Sequence, residues 1–184
     1  MADEPAPISS HDLAKYWEHL SRDDRFYALM YERDDVLFIL RMHLVFETLM
    51  REILAIRFPD AGILLDRLAF AALIEVLYAS VPIPPMLRDA LKGASWVRNR
   101  FAHLPMTFVL SDEIWTKFKT YLDAQFLDII EDSIADGRGG APGNPTVDVD
   151  SSTSRVRLGF LIVHKGLTTM LGWAQGHPDP ANFK

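Results

Sequence analysis

Between Val36 and Leu54 the chain carries apolar side chains at Val36, Leu37, Ile39, Leu40, Leu44, Phe46, Leu49, Ile53 and Leu54. On a helical wheel these cover most of the circumference, so such a helix needs other helices around it. It is not a membrane span, because Arg41, His43, Glu47, Arg51 and Glu52 interrupt it. Asp34-Asp35 suit a helix N-terminus and Pro59 closes the far end. The stretch therefore predicts a central helix over about 34–58, at the middle of an all-α bundle of five to six main helices.

The other helices follow from the same punctuation. Ser9 or Ser10 can cap a short helix from about His11 to Ser21, and a further turn or two around Phe26, Tyr27 and Met30 leads into the central helix. The leucine-rich run from about Gly62 to Ala79 predicts one long helix, with Leu64, Leu65, Leu68, Ile74 and Leu77 among its buried positions. Val81-Pro82-Ile83-Pro84-Pro85 reads as a rigid connector, with Pro85 as the first residue of the next helix. That helix has a core stripe of Leu87, Leu91, Ala94, Val97, Phe101 and Leu104, and its Gly93 allows another backbone to approach. Pro105 limits it.

Thr107-Phe108-Val109-Leu110 reads as extended, and Ser111-Asp112-Glu113 starts a helix expected to run to about Ala135 on Trp115, Phe118, Leu122, Phe126 and Ile129. Residues 137–152 read as a mobile loop. Over 147–163, Val156, Leu158, Phe160 and Ile162 alternate like a strand, but a lone hairpin would have no sheet to join, and the spacing beyond it is helical. A helix from about Ser154 to Ala174 is the expectation. The chain divides into a disordered N-terminus (1–9), one helical domain (10–176) and a tail (177–184).

Polar chemistry gathers near the end of the helix that Pro85 opens. Arg98-Asn99-Arg100-Phe101-Ala102-His103 places two arginines, an amide and an imidazole within six residues. Asn99 and His103 share a face, and Trp96 and Lys92 continue it. His103 in the last turn would feel the negative end of the helix dipole, which favours its protonated form. Arg98 lies about 140° from His103 on a regular helix, a geometry that favours a site shared between two chains. On the central helix His43, Glu47 and Arg51 stand four apart in one line. That line either faces the Arg-His stretch or forms a hydrogen-bonded, solvated stripe. Two ligands, His43 and Glu47, without a third do not make a metal site, and no cofactor is expected.

With 25 acidic and 19 basic side chains the net charge is −6, which excludes wholesale electrostatic binding of nucleic acid or anionic membrane. Any such contact must be local, and the Arg88, Lys92, Arg98 and Arg100 helix is basic on this acidic background. The absence of cysteine excludes disulfides, thiolate zinc sites and cysteine nucleophiles. Residues 1–9 look like neither a signal nor a transit peptide, and the expected location is cytoplasmic. The glycines of 137–152 lack the Lys-Ser/Thr of a phosphate loop.

The order of elements and the string Val97-Arg98-Asn99-Arg100-Phe101-Ala102-His103 resemble the HEPN superfamily, whose mark is R-N-x-x-x-H. Within it the chain looks most like the mannitol operon repressor group, through Phe46-Glu47-Thr48-Leu49, the Leu64 to Leu77 helix and Phe108-Val109-Leu110-Ser111-Asp112-Glu113-Ile114. The resemblance covers most of residues 30–175. It implies a metal-independent endoribonuclease, toxin-like and homodimeric, in which Arg98 holds a phosphate, His103 moves protons and Asn99 orients it. Arg100, Lys92, Trp96, Glu47 and His43 would bind RNA or support the site. The mannitol repressor group implies the alternative: a non-catalytic transcriptional regulator acting through a protein partner. An antitoxin or regulator is thus a possible partner beside RNA.

Overall fold

A computed structural model of the chain describes residues 32, 34–102, 109–135 and 152–176. Seven α-helices occupy them: α1 (Asp35–Arg57), α2 (Gly62–Asp66), α3 (Phe70–Ser80), α4 (Pro85–Ala102), α5 (Asp112–Phe118), α6 (Ala124–Ala135) and α7 (Ser152–Gly176). No strand occurs among the described residues. The fold is an all-α bundle. The expectations for the N-terminal helix, for His103 to Phe108, for the 137–151 loop and for the tail fall outside the described residues.

α1 begins where its acids predict. The Asp34 carboxylate accepts from the N–H groups of Val36 (2.8 Å) and Leu37 (3.0 Å), satisfying two of the donors that a helix start leaves free. Phe38, Ile39, Met42, Phe46, Met50, Ile53 and Leu54 are buried, but Leu37 and Leu44 are exposed, so one strip of this central helix faces outward. α7 packs along α1 and runs helical from Ser152, so over 152–163 the strand alternative is set aside. Phe160 of α7 is the aromatic centre, with ring centroids 5.6 Å from Phe46, 5.7 Å from Phe118 and 6.0 Å from Phe38.

Phe118 is wedged between two glycines. A Cβ on Gly159 would stand 2.6 Å from its ring, and one on Gly93 would stand 2.9 Å from the ring and 2.8 Å from the Tyr121 Cβ. These two positions admit only glycine at the present spacing, because real side chains do not approach that closely. Pro85 opens α4 as its missing N–H allows.

Two predicted long helices are each broken. The 62–79 run divides at Arg67–Ala69, where Arg67 and Leu68 donate to the carbonyls three residues back (3.1 and 3.2 Å) and Ala69 is extended (ψ 155°). On an unbroken helix Leu65 and Phe70 would point about 140° apart. The corner buries both, and leaves Leu64 exposed rather than in the core. The 112–135 run divides at a 3-10 turn over Lys119–Tyr121, and α6 restarts under Asp123, whose carboxylate accepts from the Phe126 N–H at 2.8 Å. Ile114, Phe118, Leu122, Phe126 and Ile130 are buried; steps of four precess by about 40° each, and the interruption resets the helix direction so that Ile130, not Ile129, faces inward.

The α1–α7 end is closed by a partly buried ion pair. Arg157 on α7 donates to Asp35 (2.7 Å) and to the Glu32 carbonyl (2.6 Å), and its guanidinium lies 4.5 Å over the Phe38 ring. Asp35 also accepts the Leu110 N–H (3.0 Å), and the Thr153 hydroxyl donates to the Leu110 carbonyl (2.9 Å). One carboxylate thus ties α1, α7 and the segment entering α5 together. Among the described residues no helix is long and apolar enough to cross a membrane.

Candidate functional site at the crossing of α1 and α4

α4 turns Leu87, Ala90, Leu91, Ala94, Val97 and Phe101 into the core, as the stripe predicted. The other face carries the charges. Arg88 and Lys92, on its first two turns, both reach Glu75 of α3, at 2.6 and 2.9 Å. The hydrogen bond from Lys92, then that from Arg88, holds the Glu75 carboxyl below its ordinary range. Arg88 also lies 4.2 Å over the Tyr78 ring. Lys92 is therefore engaged in joining α3 to α4. Trp96 is half-buried and packs against the core.

The last turn is different. Arg98 is partly buried, and among the described residues it meets no carboxylate within ion-pair distance. Its Nη1 donates to the Asn99 side-chain oxygen at 3.1 Å, while its Nε is buried without a partner. Asn99 and Arg100 are exposed, and Arg100 reaches Glu113 of α5 only at 3.6 Å. His103 lies one residue beyond the last described position of α4, outside the described residues.

Along the His43-Glu47-Arg51 line of α1, the last two residues form the hydrogen-bonded stripe. Glu47 and Arg51 form an i, i+4 ion pair, and Arg51 also donates to the Leu68 carbonyl (3.1 Å) exposed by the corner between α2 and α3. Lys92 and Arg88 are answered by Glu75, Arg51 by Glu47 and Leu68; Arg98 has an amide alone. His43 is buried, with 7% of its surface accessible, and stacks on Phe70 at 3.8 Å and 28°. Its pKa is lowered from 6.5 to about 4, first by burial and then by the charge of Arg98, against the opposing pull of Glu47. His43 is therefore a neutral imidazole near physiological pH, within the field of an arginine that has no counter-ion among the described residues.

Of the residues singled out in the sequence, the structure brings Arg98, Asn99, His43 and Glu47 to one region and commits Lys92 to α3. Phe70 was missed; a phenylalanine at a helix start carries no signal that it will stack on an imidazole. Among the described residues no group of three potential ligands could hold a metal. Comparisons with protein-family models, curated proteins and solved structures find no match to this chain.

Proposed function

We propose that the chain is a HEPN-type, metal-independent endoribonuclease that works as a homodimer in the cytoplasm, toxin-like, with Arg98, Asn99 and His103 as its catalytic residues. The observation that carries this reading is Arg98: a partly buried guanidinium at the end of a helix, joined to an amide and, among the described residues, to no acid. A cation left without a counter-ion is suited to an anionic ligand, and a guanidinium matches a phosphodiester. In the reaction the 2′-hydroxyl oxygen attacks phosphorus, the P–O5′ bond breaks, and a 2′,3′-cyclic phosphate and a 5′-hydroxyl result. His103 takes the proton from the 2′-oxygen or delivers one to the leaving 5′-oxygen, and Arg98 stabilises the charge that develops on the phosphoryl oxygens.

A second reading is a non-catalytic, mannitol operon repressor-like regulator that acts through a protein partner. The net charge of −6 and the exposed apolar side chains Ile63 and Leu64 favour it over direct DNA binding.

Incubation with total RNA in excess chelator separates the two. Cleavage that leaves cyclic phosphate ends, and that His103→Ala and Arg98→Ala each abolish without unfolding, is the expected result. Intact RNA together with capture of a defined protein partner supports the regulator instead.

A further inference from the structure

Arg98 and His103 meet a geometric difficulty on one helix. On a regular helix position 103 lies about 140° round from position 98, whereas position 99 lies about 100° round in the same sense, about 40° short of 103. Arg98 therefore stands away from the stripe of position 103 unless its fork is drawn round the helix. The structure holds a contact that does so: Arg98 Nη1 donates to the Asn99 side-chain oxygen at 3.1 Å. A guanidinium only donates and an amide nitrogen does not accept, so the group with which Asn99 would accept an imidazole N–H already accepts from Arg98. Arg98 Nε is buried without a partner, and among the described residues the bond to Asn99 is the one that fixes the fork.

The chemistry of this partner matters as much as its place. A carboxylate at position 99 would hold the fork at the same reach and cancel its charge; an amide holds it and leaves the charge whole. Other arginines of the same helix do meet acids, Arg88 with Glu75 at 2.6 Å and Arg100 with Glu113 at 3.6 Å. We infer that Asn99 is the positioning residue of Arg98 rather than of His103: its carboxamide draws the guanidinium toward the stripe of position 103 and keeps it charged for the phosphate. This rests on the RNA reading above and reassigns one of its three residues.

Asn99→Asp is the deciding variant, because it keeps the shape and the acceptor and adds a charge. If Asn99 orients His103, a carboxylate serves as well as an amide, and it moves the imidazole limb of the kcat pH profile upward. If Asn99 positions Arg98, the new acid pairs with the guanidinium and the phosphate loses its partner. The measurements are fluorescence anisotropy in chelator across a KCl series, with a single-stranded 2′-O-methyl RNA that has no free 2′-hydroxyl to attack with, and kcat and KM on the unmodified RNA. Asn99→Asp is expected to weaken binding about tenfold, the size of one charged hydrogen bond. It should also flatten the slope of log K against log salt by about 0.7, one phosphate contact on a single strand, as Arg98→Ala should. Asn99→Ala, which frees the fork without neutralising it, should raise KM about threefold and leave the salt slope unchanged. In the Arg98→Ala background Asn99→Asp should cost less than about a further twofold. Binding and salt slope left at their wild-type values by Asn99→Asp overturn the inference, and a raised pH limb then returns Asn99 to His103. An equal loss in the Arg98→Ala background also overturns it, since the new acid then repels the strand directly. Wild-type protein that does not bind the oligonucleotide overturns the RNA reading and this inference together. Asn99 is exposed, so its variants are expected to fold, and thermal unfolding checks this.

Discussion

Arg157 and Arg98 are two partly buried arginines of the same bundle, and they are treated oppositely. Arg157 has a carboxylate, a carbonyl and an aromatic face, and its carboxylate partner also holds the Leu110 backbone. Arg98 has one amide oxygen and a neutral imidazole within reach of its field. Both leave Nε without a partner, so the distinction lies in the rest of the fork. An arginine that builds a fold is neutralised by the fold; one that the fold leaves charged is available to something else.

The sharpest way to break this comparison is to remove the acid that neutralises Arg157. Asp35→Ala leaves that guanidinium without its counter-ion and the Leu110 N–H without its acceptor, and should cost about 3 kcal/mol in urea unfolding. A loss below about 1 kcal/mol would mean that the closed end is held by packing alone.

Next comes the pH dependence of His43. Its folded pKa, about 4, lies below the unfolded 6.5, so the unfolded chain binds the extra proton between these values. The contribution of the neutral ring is complete above pH 6.5 and is lost as the pH falls toward 4. Wild-type protein should lose about 1–2 kcal/mol across that window relative to His43→Phe, after allowance for solvent screening. Parallel curves for the two proteins would place His43 in an ordinary environment.

Arg98→Ala should change stability by less than about 1 kcal/mol, or raise it, because it deletes a charge with no counter-ion among the described residues, while RNA cleavage is abolished. A destabilisation equal to that of Asp35→Ala would erase the difference between the two arginines. The smallest effect belongs to Arg100→Ala. Its exposed contact with Glu113 is long, and thermal unfolding should register less than about 0.5 kcal/mol.

The helices were legible where residues with a fixed backbone role mark their ends. Asp34, Pro85 and Ser111 each stand at the helix start they predict, and the α4 core stripe emerges from Leu87 to Phe101, Leu104 lying outside the described residues. The breaks were not legible in the same way. Arg67-Leu68-Ala69 contains no glycine, proline or capping side chain, and the corner there exists because Leu65 and Phe70 must both reach α1, a demand of packing. Asp123 did carry a signal, since an aspartate three residues before Phe126 is a helix start, but the even run of apolar residues on either side masked it. At the site, the spacing of His43, Glu47 and Arg51 showed a line on one helix. That this line lies in the field of Arg98 depends on how α1 and α4 cross, which no local pattern encodes.

The corner at Leu68 also governs electrostatics at a distance. In a continuous helix the Leu68 carbonyl would be occupied by a backbone amide further along; at the corner it instead holds Arg51, which in turn holds Glu47. Glu47 is the acid on α1 whose charge acts on His43 against that of Arg98. A backbone irregularity between α2 and α3 thereby helps to fix the arginine that pairs with Glu47. A redesign that smoothed residues 67–69 into regular helix would take from Arg51 the Leu68 carbonyl to which it donates, and so loosen the tie between α1 and the corner.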